Sequence, residues 1–492
     1  MNIAAGGHPA LKFALTEASL GLLKRLARDG GGAEFWRRRG VSKVDLCLGG
    51  ERSRPPAPEG LLRDMPLLLS AFGGVRLSLA GFPYCFLGEN LIRGEYLVRN
   101  RENPGAFKAA SCAKCAFDGR CAGFPAAYKD FIAGRGAGLA VPDRPIEVMV
   151  EVEARCQFGC RYCFNQNTFA PGSARPDKHA VPGLSAEAVK GIVDQLAAWG
   201  VPRMRFTGGE PLLRTDLVEL MDYALERGVA VWLNTNGYQL RDPGLAKAVC
   251  ARADNVLVSL RGWDAESDAA ESGHPGSFEA SCEGARALRA AGLKTLRVGV
   301  CATRSVIRNL DRVCETVKGL GADRLEFYRP VAVDGKAPEA DAADLEILVD
   351  KLTDHRRTGG LNAYIANPLP FCFYDADKVN AVSLGAVLGE GNSRFAVDPR
   401  GFCKPGYYMD VNMGSCGDLR AAWASPFSRA IRGQELLPER CAGCFYAGKC
   451  RGGSRHAAWQ AFGDHRAPDP LATFMPEGRG KRNGDAPRGK TL

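Results

Sequence analysis

No stretch of this sequence approaches the ~18 uninterrupted apolar residues that a membrane helix needs. The best candidate, residues 65–82, is broken by Arg76 and two adjacent glycines. The N-terminus also lacks the charged-then-apolar pattern of a secretory signal; Leu11, Leu15, Leu22 and Leu26 instead recur at helical spacing among charges. These absences exclude a membrane-spanning helix and lead us to expect a cytoplasmic protein with no membrane partner. Histidine is scarce, six in 492 residues, and the six are scattered without ligand spacing. Neither sign of charge dominates: 65 Lys and Arg face 55 Asp and Glu, a formal +10. Part of that surplus sits in Arg479, Lys481, Arg482, Arg488 and Lys490. Spread over the rest of the chain it reads as a solvated surface, and no nucleic-acid partner is expected. Apolar residues make up 46% and charged residues 24%, which excludes a disordered or fibrous chain. At roughly 150 residues per domain, about three domains are expected.

Cysteine is the exception, with 18 residues. In a chain without a secretory signal, metal or redox chemistry precedes disulfides as the explanation. Four regions emerge. Residues 1–140 hold an amphipathic opening, a Pro/Gly-rich stretch at 54–60 and five cysteines. From 141 to 335, short β-branched runs alternate with amphipathic segments. The expected strands are 146–152, 203–207, 230–234, 255–260, 296–301 and 325–329; the expected helices include 186–199, capped by Ser185, and 217–227. Six strand–helix repeats imply an α/β fold with a parallel sheet, open or curled as a partial barrel, whose chemistry sits on loops at the C-terminal strand ends. Residues 336–465 lose the alternation and hold six cysteines, and 466–492 are expected to form a disordered basic tail.

The sequence also echoes itself. Phe82-Pro83-Tyr84-Cys85-Phe86 parallels Leu369-Pro370-Phe371-Cys372-Phe373, and Cys112-x2-Cys115-x5-Cys121 parallels Cys441-x2-Cys444-x5-Cys450. The N-terminal region therefore reads as a shortened relative of the C-terminal one; coincidence between two Cys-rich loops is the alternative.

The strongest signal is Cys156-x3-Cys160-x2-Cys163, directly after the first expected strand of the repeats. Three thiolates this close can surround one metal centre, and thiolate-only ligation suits zinc or iron–sulfur clusters. A structural zinc site usually closes with four ligands, yet no fourth Cys or His lies nearby; the next histidine is His179. A zinc knuckle would have to borrow a distant ligand. Three ligands on a four-iron cubane leave one iron open, as a site needs if a cofactor or substrate must bind metal directly. After the second strand comes Thr207-Gly208-Gly209-Glu210-Pro211. Its glycines let the backbone approach a ligand, and their carbonyls with the Glu210 carboxylate offer acceptors for an ammonium group.

A Cys-x3-Cys-x2-Cys triplet followed by Gly-Gly-Glu-Pro resembles the radical SAM superfamily. The C-terminal cysteines, with Gly414, Leu419, Trp423 and Phe427 between Cys403 and Cys441, resemble its SPASM extension. The resemblance covers most of residues 145–455. It implies a partial (β/α)6 TIM-type barrel at 141–335 with a SPASM-like Cys-rich extension at 336–465; residues 1–140 lie outside the common family core and are expected to form a Cys-rich N-terminal extension. It also implies a [4Fe–4S] cluster on Cys156, Cys160 and Cys163, with S-adenosylmethionine chelating the open iron. By the same resemblance, Gly208, Gly209, Glu210 and Pro211 would hold the methionyl ammonium, and Tyr162 would sit beside adenine through its backbone. Ser259 matches a position used toward the ribose or carboxylate; a strand-end serine capping backbone is its alternative. Val298, Gly299 and Val300 would lie along the adenine. Where many relatives continue with aspartate and glycine after that serine, this chain has Arg261-Gly262. The implied chemistry is one-electron reduction of the cluster, homolysis of the sulfonium C–S bond and hydrogen abstraction by a 5′-deoxyadenosyl radical, the protein supplying orientation and a closed site.

Cys372, Cys403, Cys416, Cys441, Cys444 and Cys450 are six candidate auxiliary ligands. The SPASM pattern places another cysteine where this chain has Ser454, and none follows. One auxiliary cluster is therefore expected, a second only with an open iron or a non-cysteine ligand; zinc is the alternative. Cys85, Cys112, Cys115 and Cys121 suffice for one N-terminal cluster or one zinc site. Cys250, Cys282, Cys314 and Cys301 read as small core residues, Cys47 as a buried strand residue, and His456 as a surface residue. The expected function is radical modification of a peptide or protein side chain; a radical enzyme for a small metabolite or cofactor precursor and a non-catalytic electron carrier are the alternatives. An electron donor such as flavodoxin or ferredoxin is the expected partner.

Overall fold

The computed structural model describes residues 11–472 apart from 30, 40, 42, 49–54, 73–75, 87–96, 100–105, 116–120, 136–142, 164–182, 332–339, 358–360 and 445. The expected tail beyond residue 472 and the boundaries near 140 and 335 lie outside the described residues. No described helix is long and apolar enough to cross a membrane.

The N-terminal region is an α/β unit in its own right, which its sequence did not reveal. Strands β1 (Leu11–Leu15), β2 (Lys43–Leu48), β3 (Arg76–Ala80) and β4 (Leu97–Arg99) pair in parallel in that order. Parallel neighbours need crossovers, and the helices Glu17–Arg28 and Pro58–Ser70 supply two of them. Thr16 and Ser19 close the first helix with a reciprocal capping box. The unit has its own core of Leu15, Leu23, Trp36, Leu46, Leu61 and Leu79, and Trp36 Nε1 donates to the Ala71 carbonyl at 2.9 Å.

All six strands expected in the second region form, each within two residues of its expected ends: β5 (Glu147–Glu153), β6 (Arg203–Gly208), β7 (Ala230–Thr235), β8 (Ala253–Leu260), β9 (Thr295–Cys301) and β10 (Arg324–Tyr328). The helix Ala186–Trp199 has the expected bounds, with Ser185 accepting from Ala188 N and Gly200 ending it at φ 72°. The sheet is larger than expected. β11 (Ala363–Ile365) joins β10 in parallel, β12 (Arg394–Val397) joins β5 in parallel, and the antiparallel pair β13 (Phe402–Lys404) and β14 (Gly414–Ser415) extends that edge. Val148, Val150 and Val152 of β5 face the helices, while Glu147, Met149, Glu151 and Glu153 alternate with them toward the concave side.

That concave side holds charge. Arg205 makes paired bonds of 2.9 Å to Glu147, Arg297 reaches Glu326 at 2.7 Å, and both arginines contact Asn234. Arg203, Arg205 and Arg297 stack over Trp232 at 4.3, 4.9 and 5.4 Å from its ring centre. Burial alone would raise the pKa of Glu147 and of Glu326. The surrounding charge, chiefly Arg205 and Arg394 for Glu147 and Arg297 for Glu326, instead holds both at about 2. A carboxylate depressed in the folded state stabilises it above the unfolded value of 4.5 and loses that contribution as pH falls toward 2. The unfolding free energy from denaturant titrations is therefore expected to drop by several kcal/mol between those pH values.

The C-terminal cysteine region shares the barrel's core, through Phe395, Cys403, Trp423 and Cys450. Gln195 on the barrel exchanges bonds of 2.8 and 2.9 Å with Cys416 O and Leu419 N. Two expectations are corrected. Residues 466–472, assigned to the tail, are anchored through Asp469, which is 1% exposed and pairs with buried Arg329 at 2.7 Å. His456 is 3% exposed rather than on the surface, and burial pushes its imidazole down to about 4.

Candidate active site and cysteine groups

β5 ends at Glu153, and the three cysteines follow on the loop it releases at the barrel mouth. The end of β6 is pressed against the root of that loop. Gly209 N donates to Glu153 O at 2.6 Å and Glu210 N to Arg155 O at 2.8 Å. A Cβ on Gly208, whose φ is +137°, would strike Glu153 O, and one on Gly209 would strike the carbonyls of Ala154 and Arg155. The two glycines thus let one backbone lie on another at the base of the cysteine loop. Gly209→Ala is expected to cost about 1–3 kcal/mol of folding stability and to lower iron incorporation at the triplet. Gly191→Ala, at a helical glycine whose Cβ would meet nothing within 4 Å, is the neutral-to-stabilising control.

The Glu210 side chain also braces the framework of the site. Its fully buried carboxylate accepts from Thr235 Oγ1 at 2.6 Å, Asn236 N at 2.7 Å and Leu212 N at 3.1 Å. It ties the end of β6 to the end of β7. Asn236 carries this framework to the triplet, its Nδ2 standing 3.8 Å from Cys156 Sγ. The far side of the loop is held by Gly159 N on Ser272 O at 2.8 Å and by the Arg161–Glu271 ion pair at 3.3 Å.

Ser259 lies near the end of β8, in register with Gly299 of β9, on the same side as buried Asn255. Val300 packs with Val298 into the helix-side core, so it is the backbone of this strand that can lie along an adenine. Gly299 and Cys301 take the concave side, and a Cβ on Gly299 would meet Tyr328 at 3.0 Å. Cys301 is therefore no core residue; it lies near Tyr162 and Tyr408 at the mouth. The Tyr162 hydroxyl is buried and makes no hydrogen bond among the described residues.

Comparison with known proteins decides what this arrangement is. The sequence pattern of the radical SAM superfamily matches residues 150–318, from β5 through the helix after β9. The chain carries a radical SAM domain. A PqqA peptide cyclase of Ruegeria pomeroyi is 28% identical over 351 residues, covering 70% of this chain and 91% of its own. An AdoMet-dependent heme synthase of Nitratidesulfovibrio vulgaris is 26% identical over 351 residues, covering 66% and 91%. Streptococcus suis SuiB bound to S-adenosylmethionine shares the fold at TM-score 0.54 and 16% identity, covering 71% of this chain and 81% of its own. Enzymes of this superfamily use a [4Fe–4S] cluster and S-adenosylmethionine. The residues present fit both groups: three half-buried thiols on one loop, and beside them a pair of glycines with no room for side chains.

Sequence reasoning missed the residues that brace the radical SAM site. Arg261, noted only as a departure from the family's usual aspartate, is 3% exposed and hydrogen-bonds Cys160. Burial works against its charge, but Asp268 and Cys160 outweigh burial and keep the guanidinium protonated. Its backbone N donates to Asp268 Oδ2 at 2.8 Å, and its guanidinium lies 4.5 Å from the Phe158 ring centre. Asn234-Thr235-Asn236-Gly237 at the end of β7 offered a signal of the same kind as Gly-Gly-Glu, polar turn residues closing a strand at the barrel mouth.

The six auxiliary candidates divide into four and two. Cys372, Cys441, Cys444 and Cys450 line one cavity of about 60 Å³ with Phe371 and Tyr446. Burial, then Cys441 and Cys444 as neighbours, push the Cys372 thiol up to about 11. Cys450 Sγ accepts from Phe371 N at 3.3 Å. Cys403 and Cys416 stand at the β13–β14 hairpin, each the other's neighbour. Among the described residues no three Cys, His, Asp or Glu side chains close on a single-ion position. Cys85 is grouped with Cys112, Cys115 and Cys121.

Proposed function

We propose that this enzyme modifies a side chain of a peptide or protein by hydrogen-atom abstraction. The observation that carries this reading is a three-cysteine loop at the mouth of a barrel in a chain that also holds a four-cysteine cavity. A PqqA peptide cyclase relative and a SuiB structure bound to its precursor peptide SuiA support it. Bound cluster and S-adenosylmethionine would supply a 5′-deoxyadenosyl radical after a one-electron reduction. The chain's own residues do the rest. Cys156, Cys160 and Cys163 hold the cluster, and the carbonyls of Gly208 and Gly209 receive the methionyl ammonium. Ser259 and the β9 backbone flank the nucleoside, and the Tyr162 ring helps exclude water. Cys372, Cys441, Cys444 and Cys450 hold one auxiliary cluster, which can accept the electron released when a substrate radical is oxidised. A flavodoxin- or ferredoxin-type protein donates the electron that starts the reaction.

Anaerobically reconstituted enzyme supplied with S-adenosylmethionine, dithionite and candidate peptides is expected to form 5′-deoxyadenosine and a peptide with altered hydrogen content. Deuterium should pass from labelled peptide to the deoxyadenosine methyl group. Turnover with a metabolite extract and no peptide would instead support the small-molecule reading, which the AdoMet-dependent heme synthase relatives favour. Absence of 5′-deoxyadenosine would leave only an electron carrier.

A further inference from the structure

The N-terminal unit repeats, in miniature, the part of the chain that builds the Cys372–Cys450 site. β1, β2 and β3 follow one another in parallel, with helices between them, as β9, β10 and β11 do. β3 runs into a 3-10 turn at Tyr84–Phe86, closed by Phe86 N on Pro83 O at 3.0 Å. β11 runs into the matching turn Phe371–Phe373, closed by Phe373 N on Pro370 O at 3.3 Å. Each chain then returns to pair in parallel with the strand it has left: β4 on β3, Ser383 on Ile365 of β11. None of this pairing can be seen in the sequence echo.

The agreement continues around the sulfurs. Cys112 N bonds Ala109 O at 2.9 Å and Cys115 N bonds Cys112 O at 2.9 Å; Cys441 N bonds Pro438 O at 2.8 Å and Cys444 N bonds Cys441 O at 3.1 Å. Two residues after the last cysteine of each set stands a left-handed glycine, Gly123 at φ 95° and Gly452 at φ 75°. Gly123 N donates to Cys121 Sγ at 3.4 Å, and Gly452 N donates likewise to Cys450. Amide hydrogen bonds to sulfur are a feature of thiolate-held iron–sulfur centres. All four N-terminal thiols are half-buried, and Cys121, Cys115 and Cys112 all lie near Cys85.

We propose that Cys85, Cys112, Cys115 and Cys121 hold a [4Fe–4S] cluster, on a truncated internal copy of the segment that carries the auxiliary site. The copy lacks the cysteine triplet and so binds no S-adenosylmethionine. β4 lies against the helix Ala447–Cys450, which ends in an auxiliary cysteine. The choice of cluster over zinc rests on the auxiliary set being an iron–sulfur site, so the experiment tests the two separately.

Iron, labile sulfide and zinc are counted in full-length, anaerobically reconstituted protein. The forms compared are wild type, Cys112→Ser/Cys115→Ser, Cys441→Ser/Cys444→Ser, and Cys156→Ala/Cys160→Ala/Cys163→Ala. Each variant is expected to lose about four irons and four sulfides, and the triple variant to retain two clusters' worth. An N-terminal double variant that keeps all its iron, or loses zinc instead, overturns the proposal. Loss of iron from it but not from the Cys441 pair would overturn the auxiliary assignment and leave the N-terminal one standing. Should the N-terminal double variant not fold, the triple variant combined with Cys441→Ser/Cys444→Ser decides: about four irons support the proposal, and no iron, or one zinc in its place, contradicts it.

Discussion

Alanine at Cys156, Cys160 and Cys163 together is expected to abolish 5′-deoxyadenosine formation while leaving the fold in place. The loop carries its thiols at the barrel mouth, half-buried, and the three cysteines are absent from the buried core that unites the barrel. Their removal therefore takes no packing from the sheet, and surface changes of this kind usually stay within about 0.5 kcal/mol. Activity should fall to background, because no other cysteine adjoins the triplet in the chain to supply a replacement ligand. Product detection by mass spectrometry and a thermal melt on the same preparation check both halves. Residual turnover in the triple variant would contradict the assignment.

Arg261→Gln is expected to act in two ways at once. The guanidinium is a buried positive charge hydrogen-bonded to Cys160, and hydrogen bonds and charge beside a ligand sulfur make a cluster easier to reduce. Without it the reduction equilibrium should become at least tenfold less favourable, about 59 mV for one electron. A redox titration followed by electron paramagnetic resonance reads this directly. Asp268, 0% exposed, also loses its ion-pair partner; uncompensated buried charges cost about 3–5 kcal/mol, and denaturant unfolding reads that. Arg261→Lys keeps the charge and should restore most of the potential. A purely structural arginine would lower stability and leave the midpoint where it was.

The barrel was legible because its strands are long and alternate with amphipathic helices. β5 through β10 have five to eight residues each, and helix Ala186–Trp199 announces both of its ends with Ser185 and Gly200. β4, β11 and β13 have three residues apiece and β14 two, too few to show a period, so the enlargement of the sheet stayed hidden. Which of Val298, Gly299 and Val300 face the core was not legible, because strand faces alternate every residue and a motif does not reveal the phase. The partners of Glu210 could not be read from its motif, since Thr235 and Asn236 come from a different strand. The same holds for Arg261: its partner Asp268 lies seven residues on, in the helix Ala265–Ser272, and only the fold sets both beside Cys160. The cysteine spacings, by contrast, divide into groups of four much as the chain folds them, except that Cys403 and Cys416 stand apart.

The most direct examination of the account is an electron paramagnetic resonance spectrum of the reduced enzyme with and without S-adenosylmethionine. Cys372→Ser/Cys441→Ser and Cys112→Ser/Cys115→Ser substitutions combined in one chain would leave the triplet as the dominant cluster site. The expected result is a cluster signal whose g values shift when S-adenosylmethionine is added, as direct binding to an open iron requires. A signal unchanged by saturating S-adenosylmethionine would contradict it.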